Sequence, residues 1–138
     1  MVKTIDMQEM RYLNLFEKVT RVRTHFCFFY NEAIVFCVPR VLVSKAVGEN
    51  GKNVKKLSEI LKKKIKILSA PKGIEDAEKF IKEIVSPVVF KEFAIKDNEF
   101  VITAGRLSKA ALLGRGKRRL MELQNVSRDF FHKELKVV

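Results

Sequence analysis

The chain of 138 residues has no Trp, three Pro and only two Cys, Cys27 and Cys37. Each Cys sits in an apolar run, where it acts as a small hydrophobe. Two Cys and two separated His, His25 and His132, fit no standard zinc spacing, and a disulfide scaffold is not expected either. No metal or other cofactor is therefore implied. No apolar run approaches the roughly 20 residues that span a bilayer. The N-terminal Met1-Val2-Lys3-Thr4-Ile5-Asp6 lacks an apolar signal region, so a cytoplasmic protein is expected. Negative charge is scarce: 16 Asp and Glu face 28 Lys and Arg, for a net charge of +12. Such an excess implies a polyanionic partner, either nucleic acid or an anionic membrane.

What is present is enough for a core. Apolar residues make up 47% of the chain, with 11 Phe among them, which excludes wholesale disorder. The positive charge is clustered. Arg40 to Lys66 holds nine basic residues against Glu49 and Glu59, and Arg106 to Arg119 holds six with no acidic residue. Acidic residues gather elsewhere, notably from Glu75 to Glu83. Two basic stretches point to two contact sites.

Periodicity gives the element order. Asp6 to Val22 has helical spacing, with Met10, Leu13, Phe16 and Val19 recurring every three residues and Asp6 followed by Glu9 at its start. His25–Tyr30 and Ala33–Val38 read as strands joined at Asn31-Glu32, and Pro39 ends the second. Arg40–Val47 reads as a short helix stopping at Gly48. Lys52–Lys63 reads as a second helix with the stripe Val54, Leu57, Ile60 and Leu61. Ile65–Leu68 is a strand, and Ser69–Gly73 a linker by composition.

The order then repeats. A helix is expected over Ile74–Val85, with Ala77, Phe80, Ile81 and Ile84 on one face. Strands follow over Val88–Lys96 and Phe100–Ala104, then helices over Arg106–Leu113 and Arg118 to about Phe131, and a strand over Leu135–Val138. The halves superpose at an offset of 66 residues, which puts Gly48 on Gly114, Arg40 on Arg106 and Leu57 on Leu123. The expected domains are residues 1–70 and 71–138.

The chemistry concentrates in Gly48-Glu49-Asn50-Gly51-Lys52, between two helices. Glycine admits a positive φ and close approach of a ligand. The following helix turns its N–H groups and positive dipole end toward the loop, and Lys52, Lys55 and Lys56 lie on its first turns. Together these make a site for a sugar-phosphate backbone. Gly48 as a plain helix C-cap is the bland alternative. The preceding hairpin and short helix, the basic helix that follows and the recurrence in the second half favour a GxxG clamp of the KH type.

The order helix-strand-strand-helix-loop-helix-strand resembles type II KH domains. Ile74 to Val88, with its acidic start and Ser86-Pro87, is similar to the segment that joins the paired KH domains of NusA. The chain as a whole resembles the archaeal NusA-like proteins. That resemblance implies an α+β fold of two tandem type II KH modules, each a three-stranded sheet with helices on one face. It implies single-stranded RNA binding in transcription termination or antitermination, no enzymatic activity, and a monomer without membrane association. RNA polymerase and ribosomal particles are the further partners it leaves open. Bacterial NusA also carries a polymerase-binding region and an S1 domain, for which these 138 residues leave no room, and this weighs against direct polymerase contact.

The RNA-binding residues carried over are Gly48, Glu49, Asn50, Gly51, Lys52, Lys55 and Lys56 in the first module. In the second they are Gly114, Arg115, Gly116, Lys117, Arg118 and Arg119. Here Lys117 replaces the fourth-position glycine, and its β-carbon hinders close backbone approach. Val54, Ile65 and Ile67 are candidate groove-wall residues, though the core reading ranks above it. Phe26, Phe28, Phe29 and Phe36 read as sheet packing. A helix-turn-helix DNA binder would use the helix pair in Arg40–Leu61, but the preceding strands and the second glycine argue against it. A ribosomal-RNA-binding assembly or translation factor would use the same module pair. Gly51-Lys52-Asn53 is no P-loop, because Ser or Thr is missing after Lys and Ala46 stands where a glycine is required.

Overall fold

The computed structural model describes residues 6–138. Residues 1–5, read above for a signal region, lie outside the described residues. The chain divides into two compact units, one ending at Ala70 and the other running from Pro71 to Val138. Among the described residues it is an α+β protein with two three-stranded sheets and six α-helices.

Asp6 opens the first unit. Its carboxylate accepts the Glu9 N–H at 2.8 Å, which caps helix α1 (Met7–Thr20) by satisfying a donor the helix itself cannot. Phe16 is fully buried and Leu13 and Val19 pack around it, but Met10 is 53% exposed. A three-residue recurrence drifts about 60° per step round a helix of 3.6 residues per turn. That drift carries Met10 off the inward face.

Strands β1 (Phe26–Tyr30) and β2 (Ala33–Val38) pair antiparallel through Asn31-Glu32. Both turn residues have positive φ, 51° and 63°, the primed geometry that matches strand twist. β3 (Lys64–Ser69) lies parallel to β2, giving the order β1-β2-β3. A parallel pair needs a crossover. Here it is a 3-10 turn (Arg40–Leu42), helix α2 (Val43–Val47) and helix α3 (Lys52–Leu61).

The three helices supply Phe16, Ala46 and Leu57 to one core with Cys27, Ile34, Phe36, Val38 and Ile65 of the sheet. The rings of Phe16 and Phe36 stack at 4.4 Å. Ile60, expected on the inward stripe of α3, is 49% exposed. Val54, Leu57 and Leu61 already define that face, and at about 100° per residue Ile60 falls well to one side of it. β3 also begins one residue earlier than read from the sequence and takes in Ser69, which pairs with Val38.

The second unit repeats the order: α4 (Ala77–Val85), β4 (Glu92–Lys96), β5 (Glu99–Thr103), α5 (Arg106–Leu113), α6 (Arg118–Phe131) and β6 (Glu134–Val137). Ala77, Phe80, Ile81 and Ile84 are all buried on α4, as their spacing predicts. Phe131 sets its ring edge-on to Phe80 and Phe100, with centroids 6.1 and 5.5 Å apart. β4 starts at Glu92 rather than Val88, because the Val88 N–H is spent on a turn to the Val85 carbonyl at 2.9 Å.

The 66-residue offset holds only as far as the second helix. Phe26 pairs with Cys37 and Glu92 with Thr103, each 66 residues on. Ala33, however, pairs with Lys64, whereas Glu99 pairs with Glu134, 70 residues on. The difference is helix length: α3 has 10 residues and α6 has 14. Four residues add slightly more than one turn, and the last strands read from the sequence, Ile65–Leu68 and Leu135–Val138, already stand 70 residues apart.

The reversal between α2 and α3 turns on Gly48, at φ 81° and ψ 165°, a region essentially closed to residues with a β-carbon. A Cβ there would also lie 2.9 Å from Asn53 Nδ2. Gly114 repeats this at φ 71° and ψ 174°, with Arg119 Cγ at 2.8 Å from such an atom.

Two outcomes are expected in urea unfolding. Gly48→Ala costs about 2–3 kcal/mol from strain, against about 1 kcal/mol for Gly51→Ala, which has left-handed backbone and open space. Leu57→Ala costs about 3 kcal/mol by opening a core cavity, while the half-exposed Ile60→Ser changes stability by less than about 0.5 kcal/mol.

Candidate nucleic-acid interface

The two loops adopt one backbone conformation with different residues. After Gly48, Asn50 sits at φ 53°, ψ 27° and Gly51 at φ 72°, ψ 21°. After Gly114, Gly116 sits at φ 61°, ψ 24° and Lys117 at φ 61°, ψ 24°. The Gly51 N–H donates to the Gly48 carbonyl at 3.0 Å, and the Lys117 N–H to that of Gly114 at 3.1 Å. Each loop thus needs three positive-φ residues and has glycine at two of them. The first loop asks Asn, one of the better-tolerated residues there, to be left-handed at its third position. The second asks Lys to be so at its fourth.

The glycines differ in what surrounds them. The side of Gly48 is closed by Asn53, which the sequence reading did not single out. Its Nδ2 donates to the Lys45 carbonyl at 3.3 Å, bridging α2 and α3 beneath the loop. An added Cβ at Gly51 would meet nothing within 4 Å, and the same is true at Gly116. The loop therefore presents open backbone on one side and is braced from the other. Lys117 directs its β-carbon from the position equivalent to Gly51.

Charge collects around the loops. Glu49, Asn50, Lys52, Lys55 and Lys56 are exposed, as are Arg115, Gly116, Lys117 and Arg118. Among the described residues none of these six cations takes part in an ion pair. Arg119, grouped with them from sequence, is half-buried and occupies the bracing position of Asn53 beneath Gly114. Arg128, further along α6, is committed to Glu134 at 2.9 Å. Hydrogen bonding to that carboxylate raises the arginine's pKa, and bonding to Arg128 holds the Glu134 carboxyl below the usual range.

Helices α3 and α6 begin without a side-chain cap and without an acidic residue in the first turn. Helix N-termini favour negative charge by about 0.3–1 kcal/mol per group, as Asp6 and Glu9 illustrate on α1. Starting instead with Lys52, or with Arg118 and Arg119, forgoes that gain and leaves the positive end of each helix for an external anion.

Apart from Phe26 and Phe29, which are partly exposed, the remaining sequence candidates stay in the packing. Ile65 is in the core of the first unit, with Val54 and Ile67 against it. Phe36 is buried, Phe28 is half-buried, and Phe29 contacts Tyr12 edge-on at 5.8 Å. Phe26 is 49% exposed on β1. Lys66, on β3 opposite Val35, is half-buried. Burial, followed by the charge of Lys64, lowers its pKa. Among the described residues no group of three or more His, Cys, Asp or Glu could hold a metal ion, and no helix is long and apolar enough to cross a membrane.

No family model matches the chain. Over 118 residues it is 29% identical to a "Probable transcription termination protein NusA" of Methanococcus vannielii, covering 82% of this chain and 66% of that protein. A protein of the same name from Methanocaldococcus jannaschii is 30% identical over 92 residues, 67% of this chain and 49% of the relative. One from Halococcus morrhuae is 24% identical over 107 residues, 78% of this chain and 75% of the relative. The chain thus spans between about half and three quarters of the length of these curated relatives. Among solved structures, the crystal structure of APE1850 superposes with a TM-score of 0.68 at 25% identity, covering 97% of this chain and 99% of that one. Over most of its described length, at 24–30% identity, the chain is similar to archaeal NusA-like proteins.

Proposed function

We propose that this chain binds single-stranded RNA through two tandem type II KH modules and acts in transcription termination or antitermination. The observation that carries the reading is the repeated loop. The same three positive-φ residues recur in both units, open on one side and braced on the other, ahead of an uncapped helix and among exposed cations. A loop of this kind suits about four backbone nucleotides of a single strand. The element order, with an antiparallel then a parallel strand pair around two short helices, supports the KH assignment. The names of the similar proteins support the role in transcription termination, and RNA polymerase is a further partner under this reading. The chain is assigned no catalysis.

The mechanism follows from the two loops' differences. In the first module Gly51 lets the sugar-phosphate backbone approach the main chain, and Lys52, Lys55 and Lys56 supply charge around it. In the second, Lys117 reaches phosphate with a side chain, helped by Arg115 and Arg118. The first module gives placement, and the second gives attraction at longer range.

Gly51→Asp adds a negative group on the open side of the loop, where nothing packs. Affinity for a ten-nucleotide RNA is expected to fall at least about tenfold, from a lost charge-assisted contact and new repulsion, with the circular dichroism spectrum native. Unchanged affinity in a folded Gly51→Asp protein would remove the first loop from the interface. Salt titration gives an independent check. The log–log slope is about −0.7 per phosphate neutralised on a single strand, so Lys52→Gln with Lys55→Gln flattens it by about 1.4.

A further inference from the structure

Val41 and Leu107 are each 87% exposed, more than any other large hydrophobic among the described residues. They occupy equivalent places, 66 residues apart, at the start of the short helical segment that leads into each loop. An exposed arginine precedes each one, Arg40 and Arg106. A single exposed aliphatic needs no explanation, but the same pair appearing in both units at the same position is a pattern.

Geometry ties the pattern to the loops. Val41 lies seven residues before Gly48, and Leu107 seven before Gly114. Leu107 lies in α5, where seven residues are about two turns, so it shares a helix face with Gly114 about 10 Å away along the axis; Val41 lies in the 3-10 turn ahead of α2, at the equivalent sequence position. Between aliphatic and glycine each segment holds a small exposed residue, Ser44 in one unit and Ala110 in the other. The segments 40–47 and 106–113 contain no acidic residue, and they add Lys45 and Lys109 to the arginines. Each segment is therefore smooth, apolar at its far end and positively charged, which complements a strand with anionic phosphates and apolar base faces.

We infer that each module carries a second RNA contact seven residues ahead of its loop. An unpaired base lays its face on Val41 or Leu107, and the adjacent Arg40 or Arg106 meets its phosphate. This rests on the RNA reading of the loops. A strand held at the glycines by about four nucleotides extends along the helix face to reach the aliphatic. The contact is apolar at its centre, so it distinguishes a base-bearing strand from a bare phosphate chain.

The test uses the full chain with Val41→Ser and Leu107→Ser combined. At 87% exposure neither change should alter the melting curve. The probes are a ten-nucleotide uridine RNA, a four-nucleotide uridine RNA, and a ten-unit strand lacking bases. The double variant is expected to lose about five- to tenfold in affinity for the ten-nucleotide RNA, with the salt slope unchanged. It should lose nothing on the four-nucleotide RNA and nothing on the abasic strand. Wild-type affinity for the ten-nucleotide RNA, or equal loss on the abasic strand, overturns the inference. If Gly51→Asp weakens binding while the double variant does not, the inference fails and the loop reading stands. If neither weakens it, both fail.

Discussion

The structure depends on one backbone constraint, a reversal between two helices within four residues. In both units the chain leaves a short helix through a glycine near φ 80°, ψ 170° and enters the next helix through two left-handed residues. The parallel pairing of β2 with β3, and of β5 with β6, requires the crossover to fold back over the sheet. Because the reversal is tight, the two helices pack side by side and bring Ala46 and Leu57 onto the same sheet face as Ile34 and Phe36. The same tightness pushes the loop's main chain outward, where no side chain covers it at Gly51 or Gly116.

Stability and the proposed binding therefore divide within the loop. Gly48 and Gly114 belong to the fold, since Asn53 and Arg119 fill the space beside them. Gly51 and Gly116 have nothing beside them, and what they leave open is room for a ligand. The helix starts follow the same division. α1 is capped by Asp6 in the ordinary stabilising way, whereas α3 and α6 place cations where physical chemistry favours anions. Local rules are broken at the positions proposed to bind RNA, as is common where function competes with folding.

The two units share one element order and one loop conformation but differ in detail. The glycine that stands fourth in the first loop stands third in the second. The helix that follows is one turn longer, and its extra length carries the Arg128–Glu134 pair. That pair uses up a cation which sequence would have counted toward the basic surface. Arg119 is lost to the surface in another way, because the loop's underside needs a side chain at that position.

The sequence by itself determined the element order, the hairpins, the two loops and the basic stretches. These follow from neighbouring residues: alternation in strands, periodicity in helices, and glycine where φ must be positive. It misjudged Met10 and Ile60, because a recurrence of three approximates helical geometry only over short spans. A single offset of 66 could not extend to the last strands, which the sequence reading and the pairing both place 70 residues apart, because the second unit's helix is longer. Only the tertiary structure decided which face of each glycine is open, that Asn53 and Arg119 brace the loops, and that Val41 and Leu107 stand exposed. Those facts depend on atoms that are distant in sequence or on what fails to cover a residue, and a one-dimensional pattern records neither.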